Sequence, residues 1–156
     1  MNQPDGDGPA ALAARAAGLD VTVTRHGPVN SLAEAAAARG VQPRDIVKTM
    51  VVRRANDDYL FVLVPGDRTF SWPKLRALLG VNRLSMPDAD TAYAVTGYLR
   101  GTITPFGASH AWPVIADASI PGRRISMGAG APGVSVSLEA DQMIAALKAT
   151  VADISD

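Results

Sequence analysis

The sequence has no cysteine among its 156 residues. Disulfide bridges, thiolate metal sites and a cysteine nucleophile are therefore excluded, and the composition is typical of an intracellular protein. No hydrophobic run approaches the roughly 20 residues of a membrane span, and the first residues have neither the basic nor the apolar region of a signal peptide. We expect a soluble, cytoplasmic protein that makes no membrane contact.

The sequence also has no excess charge of either sign. Fifteen basic residues balance fifteen acidic ones, and the pI is near 6.7. The broad electropositive surface of a protein that grips long nucleic acid is therefore missing, so any nucleic-acid contact should be small and local.

What the chain does contain is enough apolar sequence for one hydrophobic core. Hydrophobic residues make up 47% of the chain and charged residues 19%. This composition predicts one folded domain over residues 9–156, preceded by a polar tail at residues 1–8 that is rich in glycine, proline and aspartate and is expected to be disordered.

Strand and helix patterns alternate along this domain. A capping box of Ser31 and Glu34 predicts a helix that Gly40 ends, and Ser71 and Gly80 bound another. Two further helices are expected at 87–95 and 139–149, after a short alanine-rich one that begins at residue 9 and stops at residue 18. Strands are predicted at residues 19–25, 46–53, 59–64, 82–86, 112–116, 123–127 and 134–138. Short turns between neighbouring strands favour an α+β domain with a mixed, largely antiparallel sheet flanked by helices.

Lys48 lies in an otherwise apolar strand. Alternation of side chains along this strand would place Lys48 on the same face as Ile46, Met50 and Val52. Burying an unpaired ammonium costs several kcal/mol, so this lysine must reach water, meet a carboxylate, or line a pocket for an anion or a polarised oxygen. A lysine that reaches water from the end of a strand is the alternative interpretation.

A glycine-rich loop is predicted at residues 97–107. It contains Gly97, Gly101, Gly107 and Pro105, too many glycines for the interior of a strand, and the proline cannot donate to a ladder. Bare backbone amides could therefore be presented to a ligand, and a desolvated cation beside them would suit an anionic or ester-bearing one. An ordinary connection that needs positive φ angles is the alternative.

Other motifs are weaker. Residues 128–133 match G-x-G-x-x-G, but Pro132 and the alternating segment that follows favour a hairpin turn over a dinucleotide site. His26 and His110 have no metal-ligand spacing and no neighbouring nucleophile, so no metal site or cofactor is predicted. The acidic pairs at positions 57/58 and 88/90 are explained by turns and helix caps.

Two pairs of basic residues lie near predicted strand ends, and four further basic residues are scattered elsewhere. If some of them converge on the mouth of a Lys48 pocket, they could hold a few phosphates of a nucleic-acid end; otherwise they form solvated surface. The residues concerned are Arg53, Arg54, Lys74, Arg76, Arg83, Arg100, Arg123 and Arg124.

Three segments occur together in an informative order: residues 45–52 around Lys48, the turn at residues 62–67, and the loop at residues 96–107. With residues 128–134 and 138–141, they give the chain a resemblance to the YbaK/prolyl-tRNA-synthetase-associated editing domain family. The resemblance covers roughly residues 10–155. It implies the fold of that family, a barrel-like sheet flanked by helices.

The resemblance also implies a function. Members of this family are trans-editing aminoacyl-tRNA deacylases, carboxylic ester hydrolases that cleave a wrong amino acid, such as cysteine or alanine, from tRNA for proline. The implied partners are the aminoacyl-tRNA 3′ end and prolyl-tRNA synthetase. Lys48 is implied as the electrostatic anchor, and the amides of the loop from Gly101 to Pro105 are implied to hold the aminoacyl carbonyl. The other residues implied to bind substrate are Thr49, Thr102, Ile103, Thr104, Phe106 and Ser135.

Two departures from the family pattern bear on specificity. Members that remove cysteine carry an acidic residue where this chain has Ser135, and they tend to have serine where it has Thr104. An apolar pocket discriminates by about 1–3 kcal/mol per methylene, so the amino acid removed does not follow from these differences. A protein that kept the fold but lost catalysis, and binds a tRNA 3′ end, a synthetase or a small metabolite, is the alternative to a deacylase.

Overall fold

The computed structural model describes residues 8–156, so residues 1–7 of the predicted tail lie outside the described residues. The described chain forms helices α1 to α5 and strands β1 to β7, with one 3₁₀ turn at Pro43–Asp45. In chain order the elements are α1 Gly8–Ala16, β1 Thr22–Arg25, α2 Leu32–Arg39, β2 Ile46–Ala55, β3 Asp58–Pro65, α3 Trp72–Leu79, α4 Ala89–Thr96, β4 Val114–Asp117, β5 Arg124–Gly128, β6 Val134–Glu139, α5 Ala140–Leu147 and β7 Thr150–Ala152.

The helices begin and end where their capping residues predict. Ser31 and Ser71 each accept a hydrogen bond from the amide three residues ahead, which starts α2 and α3. Gly40 and Gly80 end these helices in the left-handed conformation. No helix within residues 8–156 is long and apolar enough to cross a membrane.

The seven strands form one mixed sheet in the order β1-β6-β5-β2-β3-β4-β7. Its antiparallel ladders join four, eight and five residue pairs, whereas its parallel ladders join two, three and three. The predicted α+β fold with a mixed, largely antiparallel sheet is therefore confirmed.

Both faces of the central strands are covered by apolar side chains. On one face of β2 and β3, Val47 and Phe61 belong to a large core that also includes residues of α1, β5, β6 and α5. On the other face, Val52 and Val62 pack in a smaller core with Leu75 of α3. The alternation predicted for β2 thus places Val47 and Val52 on opposite faces.

Two predicted elements differ in the structure. The last helix ends at Leu147 rather than residue 149, because Lys148 adopts φ 52° and lets the chain turn into β7, a strand that the sequence did not predict. The strand predicted at 82–86 is reduced to a single bridge between Ser85 and Arg53.

Candidate functional site

The sheet has a gap beside β2. This strand pairs with β5 through Ile46 and Val47 alone, and at its far end Arg53 exchanges hydrogen bonds with Ser85. Because alternate residues of a strand point their N–H and C=O groups to the same edge, those of Thr49 and Val51 also face away from β3. No described strand pairs with this stretch of the β2 edge.

A cavity of about 680 Å³ occupies this gap. It is formed where β2 diverges from β5, and the start of α4 and part of the glycine loop close it from the other side. Its lining residues are Arg39, residues 46–51, residues 86–89, Ala92, Arg100, Gly101, Ile103 and Gly128.

Lys48 lines this cavity and is exposed to solvent. Its ammonium forms no hydrogen bond or ion pair with any residue in the described range 8–156. The expectation of a desolvated cation is therefore wrong, because the gap beside β2 leaves the side chain open to water. The sequence required this lysine to reach water, meet a carboxylate or line a pocket. In the structure it both lines a pocket and reaches water.

The glycine loop faces Lys48 across the same cavity. Gly101 has φ +88°, a conformation that favours glycine, and a Cβ added there would contact nothing within 4 Å. The amides of Gly101 and Ile103 donate no hydrogen bond to any described residue, whereas the Thr102 amide donates to the Leu99 carbonyl. Two residues of the cavity wall therefore have backbone N–H groups with no acceptor among residues 8–156.

The buried side chain of Tyr98 holds the glycine loop in place. Its hydroxyl donates to the Phe106 carbonyl at 2.5 Å, and burial raises the pKa of Tyr98 to about 12. The ring also lies against Gly130, where a Cβ would clash with it. The loop is thus held at both ends while its Gly101 turn remains exposed.

Thr49 adds a hydroxyl to the cavity lining. Its Oγ1 is buried and has no hydrogen-bond partner among the described residues. A buried hydroxyl without a partner costs about 1–3 kcal/mol, so the position suits a hydroxyl that bonds to a ligand.

The remaining residues that the resemblance implied lie behind the cavity lining rather than in it. Thr102 donates from its hydroxyl to Leu99 O, and Thr104 Oγ1 accepts from the Phe106 amide. Phe106 is part of the large core, Pro105 follows in the loop, and Ser135 is buried on β6 opposite Gly128. These five residues therefore shape the loop and the sheet, while Lys48, Thr49, Gly101 and Ile103 line the cavity.

Arg39 is a cavity residue that sequence reasoning missed. It is the last residue of α2, and its Nη1 donates to Ser126 Oγ at 3.4 Å while its Nε is buried without a partner. Burial lowers the pKa of this guanidinium. An arginine in the last turn of a helix usually marks a solvated end, so the sequence carried no signal for this position.

The cavity lining is cationic on balance. Arg39, Lys48 and Arg100 face a single carboxylate, that of Asp88. Asp88 caps α4 by accepting from the Thr91 amide at 2.8 Å, and this hydrogen bond lowers the pKa of Asp88. The site therefore favours an anionic ligand or a polarised oxygen.

The other groups that the sequence analysis considered lie elsewhere. His26 and His110 do not line the cavity. Over residues 8–156 no cluster of three or more histidine, cysteine, aspartate or glutamate side chains could hold a metal ion. Of the scattered basic residues Arg100 alone lines the cavity, whereas Arg53, Arg54, Arg76 and Arg83 gather around a second cleft.

Comparison with protein families finds that the model of the aminoacyl-tRNA editing domain matches residues 26–146. The proline–tRNA ligase of Heliobacterium modesticaldum is 37% identical over 94 residues, which is 60% of this chain and 16% of the ligase. That of Pelobacter propionicus is 27% identical over 114 residues, 73% of this chain and 20% of the ligase. The chain thus spans a fifth or less of the length of these relatives.

Two solved structures share the fold. A hypothetical protein superimposes with a TM-score of 0.81 at 27% identity, over 92% of this chain and 96% of that one. A proposed trans-editing enzyme for prolyl tRNA synthetase superimposes with a TM-score of 0.87 at 22% identity, over 100% of this chain and 99% of its own. At that identity, the second likeness shows the fold alone.

Proposed function

The chain belongs to the aminoacyl-tRNA editing domain family, and from that premise we propose that it is a trans-editing deacylase that hydrolyses the ester of a mischarged tRNA. The observation that carries the proposal is one cavity in which an unpaired lysine faces unoccupied backbone amides. Because Lys48 and Gly101 come from elements far apart in sequence, the fold itself is needed to bring them together.

The amides of Gly101 and Ile103 would hold the ester carbonyl. When a nucleophile attacks the carbonyl carbon, the carbonyl oxygen gains negative charge, and N–H groups already aimed at it lower the barrier without having to reorganise. Removing one such donor typically costs about 10²–10³ in rate in enzymes that use an oxyanion hole.

Lys48 would act as the electrostatic anchor. Its ammonium, with the guanidinium of Arg100 beside it in the lining, suits the phosphate that precedes the terminal adenosine. Holding this phosphate fixes the ester against the loop amides, and positioning of this kind contributes to rate as directly as charge does.

Water would be the attacking group, or, where the amino acid is cysteine, the thiol of that cysteine. The new bond joins this oxygen or sulfur to the carbonyl carbon, and the attacking group loses its proton to solvent. The bond between the carbonyl carbon and the ribose oxygen then breaks, and that oxygen takes up a proton. Water releases the free amino acid directly, whereas an internal attack gives a cyclic product that water can open.

Among the described residues that line the cavity, none has an imidazole and Asp88 alone has a carboxylate, whose Oδ1 caps α4. Catalysis would therefore rest on positioning and on stabilisation of the oxyanion rather than on a triad.

The relatives suggest the RNA and the partner. The curated relatives are proline–tRNA ligases, and one similar structure is described as a trans-editing enzyme for prolyl tRNA synthetase. We therefore propose tRNA for proline, charged with cysteine or alanine, as the substrate, prolyl-tRNA synthetase as the partner, and the cytoplasm as the location.

The test is a deacylation assay of the full-length protein on tRNA for proline charged separately with alanine, with cysteine and with proline, and on unrelated charged tRNAs. We expect release of alanine or cysteine at a rate well above spontaneous hydrolysis, with the correctly charged tRNA left intact. A wild-type protein inactive on every charged tRNA would contradict the proposal.

A protein that binds without turnover is the competing candidate, and a described cavity lining with no imidazole and with no carboxylate besides the capping Asp88 favours it. The same panel separates the two functions. A binder would protect a mischarged tRNA from spontaneous hydrolysis at stoichiometric concentration, whereas a deacylase would shorten its lifetime at catalytic concentration.

A further inference from the structure

A second cleft lies at the far end of β2 from Lys48. It has a volume of about 580 Å³ and is lined by residues 53–56, Arg76 and residues 82–85. These segments belong to the end of β2 and the turn that follows it, to α3 and to the connection before α4. We call this surface the arginine cleft.

Four guanidinium groups face the arginine cleft. Arg53 and Arg54 come from β2, Arg76 from α3 and Arg83 from the following connection. The neutral remainder includes Asn56, Asn82 and Ser85, which can donate or accept hydrogen bonds, and no acidic residue is among the lining residues. Four cations in one open cleft are unusual for a chain with no net charge.

The four arginines are not equally available. Arg54 pairs with Asp58 at 2.9 Å, and Arg53 bonds to the Ala55 carbonyl and the Asn56 amide oxygen. Arg76 and Arg83, by contrast, have no side-chain hydrogen bond or ion pair with any residue between 8 and 156. No described residue compensates their positive charge, which leaves it available to an external anion.

We propose that the arginine cleft binds the phosphate backbone of the tRNA acceptor stem while the 3′ end occupies the Lys48 cavity. The inference rests on the proposed function, because it takes the ester-bearing RNA as the ligand. Guanidinium groups match phosphate oxygens in geometry and charge, and contacts of this kind position a nucleic acid without reading its sequence.

The spacing of the two sites agrees with this ligand. β2 places Arg53 five residues beyond Lys48, which is about 17 Å along an extended strand. Phosphates in a stacked strand follow one another at about 3.4 Å along the helix axis. An RNA whose last nucleotide lies in the cavity therefore reaches the cleft about five nucleotides earlier, where the unpaired 3′ end gives way to the stem.

The test compares two substrates and two kinds of variant. The substrates are a mischarged full-length tRNA and the same amino acid esterified to a CCA trinucleotide, which is too short to reach the cleft. The variants are the double charge reversal R76E/R83E, the milder R76Q/R83Q, and R44E as a matched control. Arg44 is exposed and lies outside both clefts.

We expect R76E/R83E to raise KM for the tRNA by at least about tenfold and to leave hydrolysis of the trinucleotide ester unchanged. Loss of two phosphate contacts should also reduce the slope of log KM against log salt by about two. R76Q/R83Q should show the same selective effect at smaller size, and it carries the test if the charge reversal fails to fold. R44E should behave as wild type.

Binding of an uncharged acceptor-stem hairpin RNA, measured by fluorescence anisotropy, keeps this inference separate from the proposed function. If wild type hydrolyses no ester but binds the hairpin through Arg76 and Arg83, the deacylase proposal fails and the arginine cleft stands. The cleft proposal is overturned if both double variants bind the hairpin and the tRNA as wild type does. The same follows if they slow hydrolysis of the trinucleotide ester as much as hydrolysis of the tRNA. It is also overturned if they weaken binding of prolyl-tRNA synthetase alone.

Discussion

The two clefts on β2 differ in how their cations are held. The Lys48 cavity lies in a gap of the sheet, with an exposed lysine, a largely apolar lining and backbone amides held by a buried tyrosine. The arginine cleft is open and polar, and its arginines lie at the end of β2, on α3 and in the connection before α4. Under the two proposals, the Lys48 cavity would orient the reacting ester and the arginine cleft would attract the phosphates.

The largest expected effect comes from removing the anchor in the cavity. Lys48→Ala should lower kcat/KM by about 10³ on both a mischarged tRNA and its trinucleotide ester, because both place the same phosphate beside the lysine. Arg83→Ala should affect the tRNA alone. Since Lys48 is exposed and unpaired, thermal unfolding should show no loss of stability. If Lys48→Ala and Arg83→Ala lowered kcat/KM equally on both substrates, the two clefts would not differ in function.

A substitution that changes the conformation of the glycine loop provides the second test of the difference between the two clefts. Gly101→Ala places a side chain at φ +88° in open space, so it strains the backbone without a clash. We expect about 1 kcal/mol of destabilisation and a loss of activity of about 10², since the amides move. Gly18→Ala is the matched control, with φ +85° and no atom within 4 Å, at a site outside both clefts. An equal loss of activity in the control would assign the effect to general destabilisation.

Substitution of Tyr98 tests whether its hydrogen bond to the Phe106 carbonyl keeps the loop side of the cavity wall rigid. Tyr98→Phe removes the bond to the Phe106 carbonyl and should cost about 1–3 kcal/mol at pH 7, with reduced activity and unchanged hairpin binding. Because burial raises the pKa of Tyr98 to about 12, the wild type should also lose stability as pH rises from the ordinary tyrosine value towards 12. The phenylalanine variant should lose less over that range, as measured by denaturant unfolding. An identical pH dependence in the two proteins would contradict this account.

The smallest effects distinguish two buried hydroxyls. Thr49 Oγ1 and Ser135 Oγ both lack a partner among residues 8–156, but Thr49 lines the cavity and Ser135 does not. Thr49→Val and Ser135→Ala should each change stability by about 1 kcal/mol or less, in the stabilising direction if the lost hydroxyl was unsatisfied. Thr49→Val alone should reduce activity. Full activity in Thr49→Val would show that this hydroxyl does not bind the substrate.

Sequence predicted those parts of the fold whose causes are local. Caps such as Ser31 and Gly40 set helix ends through neighbouring amides, β2 follows from a run of β-branched residues, and β3 follows from a short apolar run between two turns. β7 was missed because its three residues gain their structure from β4, more than thirty positions earlier in the chain. Such pairing leaves no pattern in the segment itself.

The residues of the candidate site also divide into those with a local signal in the sequence and those without one. Lys48 was identifiable because a lysine contradicts an apolar strand, and Gly101 because glycines cluster around it. Arg39 resembles any basic residue at a helix end, and its burial depends on how α2 lies over Ser126. The resemblance implied that Phe106 binds substrate, and the structure buries its ring in the large core.

Most of β2 is hydrogen-bonded to β3 alone, and this pairing affects how substitutions can alter the cavity. Hydrogen bonds to β3 along nearly the whole strand fix the lysine, while the opposite wall consists of a helix end and a loop. Substitutions in that wall can widen or narrow the pocket and leave the anchor where it is. Under the proposed function, the anchor for the phosphate and the width of the pocket for the amino acid would therefore be set by separate parts of the chain.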